Sequence, residues 1–196
     1  MKPAPLPARF YARDAASVAR DLLGRLLIST VGGGRCVGRI VETEAYLGPH
    51  DPASHAAGWR RTPRNEVMYG EPGRLYVYFT YGMHWCANVV TGREGFPSAV
   101  LLRAVEPLEG IATMRRRRGG VAERLIGSGP ARLTQALGIT RRHNGLDLRA
   151  APIWIAAGRP VPPARRARSP RIGISVATQR LLRFYERSSP WVSRSG

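Results

Sequence analysis

Residues 39–55 read R-I-V-E-T-E-A-Y-L-G-P-H-D-P-A-S-H, a strand that runs into a loop. Between Val41 and Ala57 there is no Lys or Arg, yet Glu42, Glu44 and Asp51 all fall there, in a chain of 31 basic and 13 acidic residues with a formal charge of +18. Side chains alternate along a strand. Gly38, Ile40, Glu42, Glu44 and Tyr46 are therefore expected to point one way, and Val41, Thr43 and Ala45 the other. Two carboxylates and an aromatic ring then share a face. Gly48-Pro49 stops the strand, and the loop after it can fold His50 and His55 back over that face. A half-exposed strand with ordinary solvated acids is the plainer reading of the same residues.

Upstream, residues 26–30 form a short apolar strand that meets residues 36–46 through Gly32-Gly33-Gly34, a hairpin. Asp14 caps a helix reaching about Leu23, with Val18 and Leu22 on its buried face and Gly24 at its end. Residues 1–12 read as a flexible N-terminal arm and residues 13–196 as a single domain. Downstream, residues 56–73 mix turn formers, aromatics and arginines, which suits a nucleic-acid backbone and equally suits a plain surface loop. Leu75, Val77, Phe79 and Tyr81 then alternate with Tyr76, Tyr78 and Thr80. Gly82-Met83 turns this strand into a second at residues 84–90 and places Tyr81 at the hairpin tip. A wedge pushed between bases needs such a residue; for each strand tyrosine taken singly, core packing is the simpler account.

Residues 99–106 read as a strand with Arg103 on the side of Leu101 and Val105, so its cation requires a buried partner or a ligand phosphate. Residues 108–118 should be a helix ending in arginines that complement its dipole. Gly127-Ser128-Gly129-Pro130 opens another at residues 131–137, an N-terminus of the kind that holds phosphate. Short strands are expected at residues 153–156 and 172–176, separated by a mobile Pro/Arg loop at 159–171. The fold class is α+β: one domain, a curved and mostly antiparallel sheet, flanking helices and a projecting β-hairpin.

The charge implies a polyanionic partner, nucleic acid first, although ribosomal and membrane-surface proteins are basic too. Lys2 is the sole lysine. Cys36 and Cys86 are too few for a disulfide framework and the four histidines lack ligand spacing, so neither metal nor cofactor is expected. No stretch has the length to span a membrane, and a soluble cytoplasmic protein is expected.

Several pieces in order, R-I-V-E-T-E-A-Y-L-G, His55, T-P-R-N at 62–65, L-Y-V-Y-F-T-Y-G-M, C-A-N at 86–88, L-L-R-A-V-E-P-L-E-G, S-G-P-A-R-L-T-Q-A-L-G-I and L-R-F-Y-E-R-S-S-P-W-V-S, resemble the alkyladenine (3-methylpurine) DNA glycosylases of the mammalian type, which also occur in bacteria. The likeness spans roughly residues 42–193. It implies that Glu44 is the general base that activates water, that Tyr46 and Tyr78 sandwich a flipped base with His55 as third wall and hydrogen-bond partner, and that Asn88 at the floor disfavours a guanine amino group. It implies Arg103 near the water and the backbone, Tyr81 as the wedge, and Met68, Arg64, Gly82, Met83 and Arg132 as DNA contacts. Two departures stand out: Arg132 replaces a common Lys, and His84 replaces a common aromatic, which leaves the local DNA contacts there open.

The implied partner is double-stranded DNA carrying a damaged purine, with water as nucleophile and a nucleoid-associated monomer as the working form. The lesions implied are 3-methyladenine and 7-methylguanine, with hypoxanthine and ethenoadenine left open. Without a lysine in any matched motif, a strand-cleaving lyase step is not expected. The same residues leave room for a basic nucleic-acid-binding module without catalysis, and for an N-glycosidase acting on RNA or free nucleosides. The binder gives no reason for an acidic island beside three tyrosines.

Overall fold

Strand β2, Cys36–Tyr46, is hydrogen-bonded along both edges, and the domain is built around it. A computed structural model describes residues 3–80 and 82–193. The other strands are β1 (Leu26–Ser29), β3 (Leu75–Thr80), β4 (His84–Thr91), β5 (Ser98–Glu109), β6 (Ile153–Ala156), β7 (Arg166–Ser169) and β8 (Arg183–Glu186). They form a curled sheet in the order β3-β4-β5-β2-β1-β6, with β8 joining β2 and β7 joining β8; every pairing among the described residues is antiparallel. On one edge of β2, its first residues pair with β1 and its last with β8.

Helices α2 (Ala15–Leu22) and α4 (Pro130–Leu137) cover one face, and α3 (Ile111–Arg117) packs beside α4. Asp14 caps α2 by accepting from the Ser17 N–H at 2.9 Å. The apolar stripe Val18, Ala19 and Leu22 meets Ile40, Ala45, Leu102 and Val105 in the main core. The other sheet face carries a smaller cluster of Tyr76, Val90 and Ala99 under Met68 and Ala56. Among the described residues no helix is long and apolar enough to cross a membrane.

Five expectations change. Strict alternation fails around Val41: Ile40 pairs with Val105 and Glu42 with Ala104, then Thr43 with Leu102. Val41 is thus extra on β2 and Arg103 extra on β5, two offsetting bulges. Ile40 and Val105 consequently turn to the helix-covered core, while Glu42, Glu44, Leu101 and Arg103 keep the opposite face. The expected arm is packed instead. Leu6 and Tyr11 are buried, Leu6 N–H donates to Ile155 at 2.8 Å, and α1 spans Ala8–Tyr11, because the apolar side chains of this segment find a place beside β6.

Residues 159–171 are ordered rather than mobile: they hold β7, whose backbone pairs with β8. Residues 172–176 form bends, not a strand, because β8 already occupies the edge of β2 and the Ile172 N–H is used by a side chain. The helix expected from residue 108 starts at Ile111. Glu109 still pairs with Val37, and Gly110 turns the chain at φ +73° where a Cβ would lie 2.5 Å from the Arg35 carbonyl oxygen.

Candidate active site

The face opposite α2 holds a cavity of about 440 Å³. Its walls come from β2 (Tyr46), the loop after it (His55), β3 (Tyr76, Tyr78), β4 (Cys86, Asn88) and β5 (Leu101, Arg103). Met68 and Arg64 close one side, and Ile172, Gly173 and Ile174 another. Tyr76 and Tyr78 stand two residues apart on β3, so both rings fall on the cavity side, tilted with centroids 5.5 Å apart. The His55 ring meets Tyr78 edge-on at 4.6 Å, and its Nδ1 lies 2.9 Å from the Tyr76 hydroxyl. His55 is exposed as a residue, yet burial around its ring, and then the Arg64 charge, lower its pKa to about 4 and leave it neutral at physiological pH. Asn88 donates through Nδ2 to the Tyr76 carbonyl at 3.1 Å, which fixes the amide at the cavity floor.

Glu44 is fully buried immediately behind Tyr46 and Arg103. Its Oε1 accepts from the Ile172 N–H at 2.8 Å and pairs with Arg103 Nη1 at 3.2 Å, and its Oε2 accepts from the Tyr46 hydroxyl at 3.0 Å. Burial raises the Glu44 pKa, opposed by Arg103, the Ile172 N–H and the Tyr46 hydroxyl, while neighbouring Glu42 adds to the rise. Glu42 is held the other way. Burial works against its charge, but Arg103, Arg183 and the Ser193 N–H outweigh burial and lower its pKa. Its oxygens accept from Arg103 Nε at 2.8 Å, Arg183 Nε at 2.7 Å, Ser193 Oγ at 2.9 Å and Ser193 N at 2.6 Å. Glu42 is therefore a structural anion, and Arg103 bridges it to Glu44. The ligand-or-partner question posed by Arg103 resolves to two buried carboxylates.

The structure gathers Glu44, Arg103, Tyr46, His55, Tyr78, Asn88, Met68 and Arg64 at or against this one cavity. Gly82, Met83 and Arg132 do not line it. Gly82 and Met83 form the hairpin turn, with Met83 69 % exposed, and Arg132 donates to Ser128 from the first turns of α4. Tyr81 and Lys2 lie outside the described residues. The sequence reading noted Asp51 only as one acid of the stretch that lacks Lys and Arg and gave Arg171 no role, yet the two form a buried pair against Tyr46. The signal available was Arg171 standing before Ile-Gly-Ile, an apolar patch in a basic segment. Among the described residues no three His, Cys, Asp or Glu side chains come close enough to hold a metal ion.

The family model described as methylpurine-DNA glycosylase matches residues 9–190, nearly the whole chain. The chain belongs to the methylpurine-DNA glycosylase family. Relatives within it are close. A protein of Carboxydothermus hydrogenoformans that carries a 3-methyladenine DNA glycosylase name is 49% identical over 190 residues, which cover 96% of this chain and 98% of that one. A similarly named protein of Chlorobaculum tepidum is 47% identical over 192 residues, with 97% and 91% covered. One of Myxococcus xanthus is 49% identical over 192 residues, with 96% and 93% covered. Methylpurine-DNA glycosylases hydrolyse the N-glycosidic bond between a purine and deoxyribose.

Proposed function

We propose that this protein excises alkylated purines from duplex DNA by rotating the nucleotide into the cavity and hydrolysing its N-glycosidic bond with water activated by Glu44. The observation that carries this reading is a buried carboxylate with a raised pKa directly behind a purine-sized cavity walled by tyrosines. Inside a duplex the bond is shielded, so extrusion is required; unstacking costs a few kcal/mol and least for a damaged base. A cationic alkylpurine stacks favourably on Tyr46 and Tyr78. It also leaves as a neutral base without an acid.

As the C1′–N bond breaks, its electron pair departs with the base. Water oxygen bonds to C1′, and Glu44 takes the water proton, a contribution of about 10²–10⁴-fold. The ionised carboxylate also favours the oxocarbenium-like sugar. Glu44 lies behind the Tyr46 ring, and its Oε2 is free for water once the Tyr46 hydroxyl gives up its hydrogen bond. Asn88 at the floor disfavours the guanine 2-amino group, because a normal guanine there would bring an unmatched donor. Neutral lesions such as hypoxanthine and ethenoadenine fit the same walls. All the residues named come from one chain, so a monomer suffices.

The test uses duplexes that each carry one defined lesion, under single turnover. Wild type should release free base and leave an intact abasic strand; Glu44→Gln should bind the same duplex and release none. Borohydride should trap no covalent adduct, because arginine stays protonated and cannot form an imine. Base release by Glu44→Gln at the wild-type rate overturns the general-base assignment. A trapped adduct overturns the single-step hydrolysis.

A further inference from the structure

Two chain segments that never pair as strands each supply a wall of the cavity: the loop after β2, which carries His55, and residues 172–174, which directly follow Arg171. One ion pair joins them. Arg171 donates to Asp51 through Nη1 at 2.5 Å and Nη2 at 2.8 Å, a two-pronged contact with both side chains fully buried. Asp51 also accepts from the Leu47 N–H at 3.1 Å and the Ala53 N–H at 3.3 Å, which shapes the turn leading to His55. Arg171 in addition donates to the Ala45 carbonyl at 3.0 Å, and its guanidinium lies 4.7 Å from the centroid of the Tyr46 ring. The next residue is Ile172, whose N–H donates to Glu44.

We propose that Asp51 and Arg171 are a positioning pair for the reaction: by locking these two segments together they set the plane of the Tyr46 ring and hold the Ile172 N–H on Glu44. Neither touches the cavity, so they act through Tyr46 and Ile172. A planar guanidinium is suited to the task because it stacks on a ring while gripping a carboxylate, which an ammonium cannot do. The inference rests on the glycosylase reading given above. It assigns that activity two residues which lie 120 positions apart.

The groups facing Glu44 are Glu42 and Tyr46 of its own strand, Arg103 of β5, Cys86 of β4 and Arg171. Loosening the pair withdraws the Ile172 N–H, a donor that favours the ionised carboxylate, so the Glu44 pKa should rise and the acid limb of the pH–rate profile should move to higher pH. The variants are Asp51→Asn with Arg171→Met, which removes both buried charges together, and Arg171→Lys alone, which leaves Asp51 a cation and so guards against failure to fold.

For each, the readouts are single-turnover base release across pH, affinity for undamaged duplex, and thermal unfolding. The double variant should lose release on the order of 10²-fold, with its acid limb shifted up and affinity for undamaged duplex unchanged. Arg171→Lys should fall between it and wild type. A folded variant with an unmoved limb, or a loss of rate matched by loss of undamaged-duplex affinity, overturns the proposal. Wild type that releases no base from any lesion duplex overturns the activity beneath it, a separate and distinguishable failure.

Discussion

Glu42 and Glu44 are two residues apart on β2, and their carboxyl groups are pushed in opposite directions. The difference lies in the donors: two guanidinium Nε atoms and Ser193 converge on Glu42, whereas Glu44 has one guanidinium contact, one N–H and one phenol. Linkage then gives opposite signs. Glu44, raised in the folded state, loses stability as pH climbs from its unfolded pKa through its folded one. Glu44→Gln should therefore melt above wild type at neutral pH, an advantage that fades below about pH 4. Glu42, depressed in the folded state, contributes stability that is present above its unfolded pKa and lost as pH falls through its folded pKa. Glu42→Gln should cost about 3–5 kcal/mol at neutral pH, because it strands buried cations, and the deficit should shrink in acid. Thermal unfolding of both variants from pH 3 to 7 checks this; equal shifts for both would refute it. The shared face of these acids with Tyr46 was legible because period two is a local rule. The Asp51–Arg171 pair was not, since nothing local links an aspartate in one loop to an arginine far along the chain.

At the scale of elements, β5 bears on the site through Arg103, and its placement depends on the turn that crosses it. A Cβ on Gly127 would sit 2.6 Å from the Val105 carbonyl oxygen and 2.7 Å from Val105 Cγ2, and Val105 N–H donates to the Gly127 carbonyl at 3.0 Å. Three residues on, Pro130 lines the cavity. Gly127→Ala should thus cost about 1–3 kcal/mol by overpacking, and lower base release through a displaced α4 N-terminus. Denaturant unfolding with single-turnover kinetics measures both, and wild-type stability would show that the turn relaxes freely. Most elements were legible from their boundaries: the Asp14 cap, the triple glycine and the tyrosine hairpin all stand where local chemistry puts them. β7 was not. Its sequence R-A-R-S has neither apolar run nor β-branched residues, and it becomes a strand only because β8 offers a partner and Glu186 accepts from Arg165 at 2.8 Å and from Arg39 at 2.6 Å.

At the scale of the molecule, 31 basic against 13 acidic residues give a net +18, while the acids that matter most are sealed inside. On the proposed mechanism, outer charge and inner carboxylate act on different steps. Duplex affinity should fall steeply with salt, by about 10³–10⁵ between 50 and 200 mM if roughly 6–10 phosphates are engaged. The single-turnover rate at saturating enzyme should change far less. A titration of affinity and rate over that range tests the separation, and parallel loss of both would deny it. The long arginine-rich surface was readable from composition; the sealed interior was not, because burial is a property of the curled sheet and the segments packed on it.

The closing of the site also has an order in time. Glu42 and Glu44 leave the ribosome early, but Ile172, Arg183 and Ser193, which supply their donors, are made some 130 to 150 residues later. Chains fold as they are synthesised, N-terminal parts first. Until the last of these residues emerges, the nascent protein carries most of its cationic surface and a carboxylate pair without its full set of partners. An interrupted translation product is accordingly expected to hold DNA through its arginines while Glu42 still lacks its Ser193 donors.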